Sequence, residues 1–210
     1  CFFFSSIQMQ ITFTLSYLTC DGGKIDYGTL PTKVPTKASN FKAQCFHASS
    51  IKNLTLDSFI CQNARYNNLP NGDSTYLAYF TDVENLYLSS NKYLDNMQYN
   101  SIYMIAGDLL VTDTLVTGNK GSYSSLFLQG DTDIHITIDN LTLQDNECAA
   151  CTGGVTVLEG DLDIKNSKFL NNKAKAAAGL NVKLARAKIN NCYFSKNNVA
   201  GAPSRSQERR

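Results

Sequence analysis

Few residues in this chain carry chemistry, and their spacing limits what they can do. Cys148-Ala-Ala-Cys151 has the spacing of a redox dithiol or of half a zinc site. A dithiol of that kind needs a strand–helix–strand setting, and a zinc site needs a second pair; the sequence offers neither. A disulfide between Cys148 and Cys151, clasping the loop after Asn146, is the favoured reading, with free thiols as the alternative. Cys1, Cys20, Cys45, Cys61 and Cys192 bring the total to seven, so at least one thiol is unpaired or bonded elsewhere. Asp131-Thr-Asp133 offers two carboxylates where calcium takes about six to eight oxygens, so no cofactor is assigned and calcium stays a weak option. His47, in the lead-in, and His135, outward on a strand, read as ordinary surface or packing residues, and Arg65 and Arg186 have no paired acids by pattern. Asp108, Asp131 and Asp161 each follow a glycine and read as turn formers rather than acids. Asn53-Leu-Thr55 and Asn140-Leu-Thr142 are glycosylation sequons.

A repeat must position these residues. With Ile164 as position zero, Asn166 stands at plus two, Phe169 at plus five and Asn172 at plus eight. The same frame starts at 51, 83, 111, 138, 164 and 189, at intervals of 32, 28, 27, 26 and 25 residues. Plus two is Asn53, Asn85, Asp113, Asn140, Asn166 and Asn191; plus eight is Asn in every frame but the first, where Phe59 stands. A fixed period of this length marks units that stack on one another. Between frames, Ser101-Ile-Tyr-Met, Ser125-Leu-Phe-Leu, Gly154-Val-Thr-Val and Gly179-Leu-Asn-Val each alternate as a short strand.

Three short strands and three turns per repeat, with no helical pattern, predict an all-β right-handed parallel β-helix of about six or seven rungs. Positions zero, plus three and plus five point inward, which places Cys192 in the core as a small hydrophobe. The plus-two residues sit at a bend whose left-handed backbone Asn tolerates, and their amides are expected to bond rung to rung as a structural ladder. A glycan on Asn53 or Asn140 would have to leave that stack, which disfavours use of either sequon.

Phe169-Leu-Asn-Asn172 and Phe194-Ser-Lys-Asn197 are FxxN segments, and Gly153-Gly-Val155 and Ala178-Gly-Leu180 are near copies of GGA[ILV]. Together they resemble the repeats of polymorphic outer-membrane proteins and of related pectin-lyase-like β-helix surface proteins, including those of ciliates. The resemblance spans about residues 48–202. It implies either a surface scaffold or a polysaccharide lyase or glycoside hydrolase. Hydrolysis needs two convergent carboxylates, and lyases of that fold use an acidic calcium site with a nearby base. The groove-lining positions implied here are Tyr103, Phe127, Thr156 and Asn181, with Ile105, Gln129, Leu158 and Lys183 beyond them, and none is acidic. Catalytic residues are therefore not assigned. Tyr103 and Phe127 form a candidate ligand strip, or a patch that covers a neighbouring loop.

The chain reads as residues 1–20, a strand segment or first rung; 21–47, a loop with a lead-in strand; 48–202, the repeats; and 203–210, a polar tail. From Ile7 to Tyr17 apolar and polar residues alternate, as in a half-buried strand and unlike a membrane-spanning helix. A formal net charge of +1 gives no electrostatic case for nucleic acid. The expectation is a non-catalytic extracellular or cell-surface scaffold. Its loops would meet cell-surface proteins or glycans, and flanking parts of a longer polypeptide would adjoin it.

Overall fold

The computed structural model describes residues 2–5, 12–21, 24–26, 43–67, 76–97, 100–121, 125–129, 134–148 and 154–200. Among them there is no helix, and the strands pair in parallel, coil upon coil, as a β-solenoid. The first coil holds β1 (Phe2–Ser5), β2 (Thr12–Ser16), β3 (Thr19–Asp21) and β4 (Lys24–Asp26). The second holds β5 (Ala43–Asp57), β6 (Ile60–Gln62) and β7 (Arg65–Asn67). Next come β8 (Tyr76–Ser89) and β9 (Lys92–Leu94), then β10 (Asn100–Thr112), β11 (Leu115–Thr117) and β12 (Lys120–Gly121). The following coil is β13 (Leu126–Gln129), β14 (His135–Asp139), β15 (Thr142–Gln144) and β16 (Glu147–Cys148). After it run β17 (Val155–Val157), β18 (Gly160–Lys165), β19 (Lys168–Leu170) and β20 (Lys173–Ala174). The last described coil is β21 (Leu180–Val182), β22 (Ala185–Asn190), β23 (Tyr193–Ser195) and β24 (Asn198–Val199).

The strand bookkeeping differs from the sequence reading. From β13 onward each coil has four short strands, because a further one follows the plus-eight Asn. In β5, β8 and β10 the first two are fused; the left-handed Ser50 and Asp82 turn the chain at this corner in β5 and β8, and β10 passes it with a register slip instead. The β8–β10 register shifts between Ile105 and Ala106. Just beyond, Gly107 runs so close to the preceding coil that a Cβ would fall 2.1 Å from the Glu84 carbonyl oxygen. Gly107-Asp108 is thus a close backbone approach inside a strand, not a turn signal. The third face is split into β4-β7 and β12-β16-β20-β24, so all faces are continuous for about four coils rather than six or seven.

Register also corrects two frames. Leu56 pairs with Leu88 and Leu88 with Val111, and the column continues through Ile138 and Ile164 to Ile189. Position zero upstream is therefore Leu56 and Leu88, five residues beyond Ile51 and Val83. The true plus-two residues there are Ser58 and Ser90. With Asp113, Asn140, Asn166 and Asn191 they share a left-handed backbone, φ between 47° and 56°. Asn53 and Asn85 instead lie within β5 and β8, where the Asn85 Nδ2 donates to the Asn53 Oδ1 at 2.8 Å. A second left-handed column, unforeseen in the sequence, runs at plus seven through Asn63, Asp95, Gly118, Asp145, Asn171 and Lys196.

The buried amide ladder stands at plus eight, not plus two. Asn96, Asn119, Asn146 and Asn172 are buried, and each donates its Nδ2 to the Oδ1 of the next, ending at Asn197, over 2.8–3.1 Å. The second Nδ2 hydrogen goes to the plus-five carbonyl of the coil before: Cys61, Tyr93, Val116, Leu143 and Phe169. Each Oδ1 also accepts a backbone N–H, from Ala64, Asn96, Asn119, Asn146 and Asn172 in turn. By contrast the plus-two Asn140, Asn166 and Asn191 are exposed. Asn140 donates to Asp113 and Asn191 to Asn166, but Asn166 donates to Asp139, so that surface row is discontinuous. Asn91, expected at plus eight, sits at plus three, where its Oδ1 accepts the Phe59 N–H at 2.8 Å.

Inside the ladder corner, apolar columns fill the coil. Leu54, Leu86, Leu109, Ile136 and Leu162 form one and Tyr93, Val116, Leu143 and Phe169 another, all buried. Plus three is inward too: Thr114, Leu141 and Ser167 are buried, and Cys192 packs half-buried against the core. Tyr93 is the misfit, because its fully buried hydroxyl has no hydrogen-bond partner.

Two substitutions separate these roles. Asn146→Ala strips an acceptor from the Asn119 amide and backbone N–H and a donor from the Val116 carbonyl, so a loss on the order of 3 kcal/mol or more is expected. Asn166→Ala, exposed but left-handed, should cost about 1 kcal/mol. Urea denaturation giving equal losses would overturn the placement of the ladder. Tyr93→Phe removes the unpaired hydroxyl alone and should raise stability by about 1 kcal/mol; a loss would mean that the hydroxyl is satisfied.

Candidate functional faces

The first face of the coil carries an aromatic strip. Inward residues alternate with outward ones along β5, β8, β10 and β13, and register puts His47, Tyr79, Tyr103 and Phe127 in one outward column. Tyr79 and Tyr103 stack at 5.3 Å and Tyr103 and Phe127 at 5.0 Å, both pairs within 8° of parallel. Tyr76 fills in beside them, 4.8 Å from Tyr103, and His47 meets Tyr79 edge-on at 5.2 Å. Stacking at the coil spacing follows from the parallel register, which sets like residues directly above one another. The upstream end is covered, for His47 and Tyr79 are each only 9% exposed. Tyr103 and Phe127 are half-buried and form its open part. Burial, and then the neighbouring Tyr79, push the Tyr103 hydroxyl above its ordinary pKa. That hydroxyl reaches Gln129 Oε1 at 3.4 Å. An offset, partly open pair of rings can stack against a flat apolar face. The sequence showed Tyr103 and Phe127 because Ser101 and Ser125 open recognisable strands; His47, Tyr76 and Tyr79 were missed because no small residue announces their strands.

A second face is polar. β14, β18 and β22 line a shallow groove of about 480 Å³ with His135, Thr137, Asp161, Asp163, Arg186 and Lys188. Asp161 is not a turn residue, as Gly160-Asp161 implied, but a strand residue between His135 and Arg186 in the ladder. The Arg186 Nε and Nη2 each donate to one of its oxygens at 2.7 Å. Asp108, likewise inside β10, accepts the His135 N–H at 3.3 Å. One oxygen of Asp163 is buried with no hydrogen-bond partner. Asp131 and Asp133, where calcium was considered, lie outside the described residues. No group of three or more His, Cys, Asp or Glu able to hold a metal occurs among the described ones.

The thiols resolve in part. Cys45 and Cys61 form a disulfide that joins two faces of one coil through its interior, and both are fully buried. Cys20, which pairs in register with Cys61, is also disulfide-bonded, as is Cys148. Cys151 lies outside the described residues, so the clasp expected for it is not described. Cys192 is a free thiol. No helix among the described residues is long and apolar enough to cross a membrane.

No family model, curated protein or solved structure matches the chain. The parallel β-solenoid with its asparagine ladder is therefore established by the pairing itself.

Three surface carboxyls titrate with the coil-to-coil bonds. A hydrogen bond from Asn63, with a second from Gln62, holds Asp21 below the ordinary carboxylate range. Asn166 lowers Asp139 most, desolvation opposes it, and Lys165 adds a further lowering, while Asn171 and Gln144 lower Asp145. Carboxyls depressed in the folded state contribute stability above the unfolded value, about 4, and lose it as pH falls through the lower folded value. The urea midpoint should stay level from pH 7 to about 5 and decline below about 4. An Asp139→Asn, Asp145→Asn double variant should decline less, and an acid-induced rise in the wild-type midpoint would contradict the assignment.

Proposed function

We propose that this chain is a non-catalytic extracellular or cell-surface scaffold, a pectin-lyase-like β-helix similar to polymorphic outer-membrane protein repeats, that presents its side faces and loops to surface proteins or glycans. The observation that carries this reading is the use made of the surface acids. Asp21, Asp113, Asp139, Asp145 and Asp161 each accept a hydrogen bond or ion pair from another coil. Those with a resolved shift are lowered, the opposite of what a general acid needs. They act as fasteners of the rod. The buried Cys45–Cys61 disulfide supports an oxidising compartment, because cytosolic thiols are kept reduced.

The open rings of Tyr103 and Phe127 are the surface we assign to a partner, with a sugar ring or another flat apolar group as the fitting chemistry. Tyr103→Ala with Phe127→Ala should abolish retention of the protein on immobilised cell-surface glycans and proteins while leaving its melting temperature within a few degrees. Unchanged retention would remove the strip from the reading.

A second reading is favoured by the groove over β14, β18 and β22. There His135, Asp161 and the incompletely bonded Asp163 lie beside Lys188, a set compatible with a carbohydrate-active enzyme. The scaffold reading expects no release of unsaturated or reducing sugar from pectin, pectate or other uronans. Release that disappears in Asp163→Asn would replace it with the enzymatic one.

A further inference from the structure

We infer that Asn140 is an N-glycosylation site and that Asn53, in the other sequon, is not. The inference rests on the exported scaffold reading. The two acceptors have the same motif and different places in the coil. Asn140 is exposed at the corner between β14 and β15, with its own backbone left-handed at φ 56°. Leu141 behind it is fully buried and holds that corner to the core, while Thr142 is on the outer side of β15. The Asn140 Nδ2 makes one side-chain bond, to the Asp113 Oδ1 at 2.7 Å. The next coil takes the Asn140 backbone N–H at the Lys165 carbonyl but not its side chain, because Asn166 directs its amide to Asp139. Asn53 is half-buried in the middle of β5. Its Nδ2 donates to the Thr12 Oγ1 at 3.0 Å on one side, and its Oδ1 accepts from Asn85 at 2.8 Å on the other.

Glycosylation replaces one amide hydrogen and leaves the other. The Asn140 Nδ2 attacks the anomeric carbon of a polyprenyl-diphosphate-linked oligosaccharide and the C1–O bond to the diphosphate breaks. The lipid diphosphate departs, and one amide proton passes to the transferase base. The remaining N–H still serves Asp113, and the sugar leaves from an exposed corner. At Asn53 the same product would place a sugar on a strand whose neighbours contact the amide from both coils, so a glycan there opposes stacking of β2 on β5. The Asn at plus two, a poor acceptor in a buried ladder, is the better one here because that row lies on the surface.

The test is to export the full chain from cultured eukaryotic cells behind a cleavable signal and measure intact mass before and after peptide-N-glycosidase. One glycan is expected, lost in Asn140→Gln and retained in Asn53→Gln. Thr142→Ala, which keeps the Asn140 amide and its bond to Asp113, should lose it as well, so misfolding of a single variant does not decide the result. An unmodified wild-type chain, or a glycan that survives both Asn140→Gln and Thr142→Ala, overturns the inference. Thiol alkylation of protein from the native source tests the exported reading separately: reduced Cys45 and Cys61 would overturn that reading, whereas an oxidised pair without a glycan would leave it standing and overturn the inference alone.

Discussion

A chain that turns three corners per coil must bury backbone polar groups at each corner, and the coil stands only if they find partners. At the corner after β9, β11, β15 and β19 one amide side chain meets this need for two coils at once. Its carbonyl takes a backbone N–H of the preceding coil and its NH₂ takes a carbonyl of the preceding coil together with the next Asn oxygen. No other side chain of that size offers an acceptor and two donors in one plane. Ser is too short and lacks the second donor, and Asp has no donor when ionised. The left-handed residue just before, at plus seven, turns the chain so that the Asn points inward. Low dielectric strengthens each link and makes an interrupted ladder costly.

The ladder also accounts for the two ends being built differently. Upstream its last acceptor is met by Ala64, which has no amide to pass on, and there the interior column switches from Tyr93, Val116, Leu143 and Phe169 to Cys61 and Cys20. The Cys45–Cys61 disulfide ties the first face to the second where the amide bonds stop. Downstream, Phe194 stacks on Phe169 at 4.5 Å with its rings nearly parallel. Yet Ile189 is 48% exposed where Ile164 above it is fully buried. Each coil buries the inner face of the one before and has its own buried by the one after, as Ile164 is by the coil of Ile189.

The repeat and its interior columns were legible because apolar residues at zero and plus five recur from Val111 onward with nothing to compete. Upstream they were not. Val83-Glu-Asn-Leu-Tyr-Leu-Ser-Ser-Asn satisfies the same template as Leu88-Ser-Ser-Asn-Lys-Tyr-Leu-Asp-Asn, five residues on, and Asn85 looked better than Ser90 at plus two. The backbone asks only for a residue that tolerates φ near 55°, which Ser90 does. Placing the ladder at plus two failed for a related reason. Asn is frequent at plus two and at plus eight, and composition alone does not say which corner is buried. Register was also needed to see that Asp161 faces Arg186, because ion pairs between coils join residues about 25 positions apart and leave no local pattern.

The same register decides where such a rod can interact. A residue on a flat side has a like neighbour about 4.8 Å above and below, and polar neighbours at that distance bond to one another before they bond to anything else. Asp161 with Arg186 and Asp139 with Lys165 are consumed in this way. Aromatic neighbours behave differently. Rings stacked in a column still present their edges, so the half-buried Tyr103 and Phe127 keep some surface that stacking has not used up. Corners are the other exception, because there a side chain such as Asn140 is exposed and spends only one amide hydrogen on a neighbouring coil, at Asp113. A solenoid held by coil-to-coil pairing therefore leaves aromatic edges open on its flat sides and exposed amides at its corners.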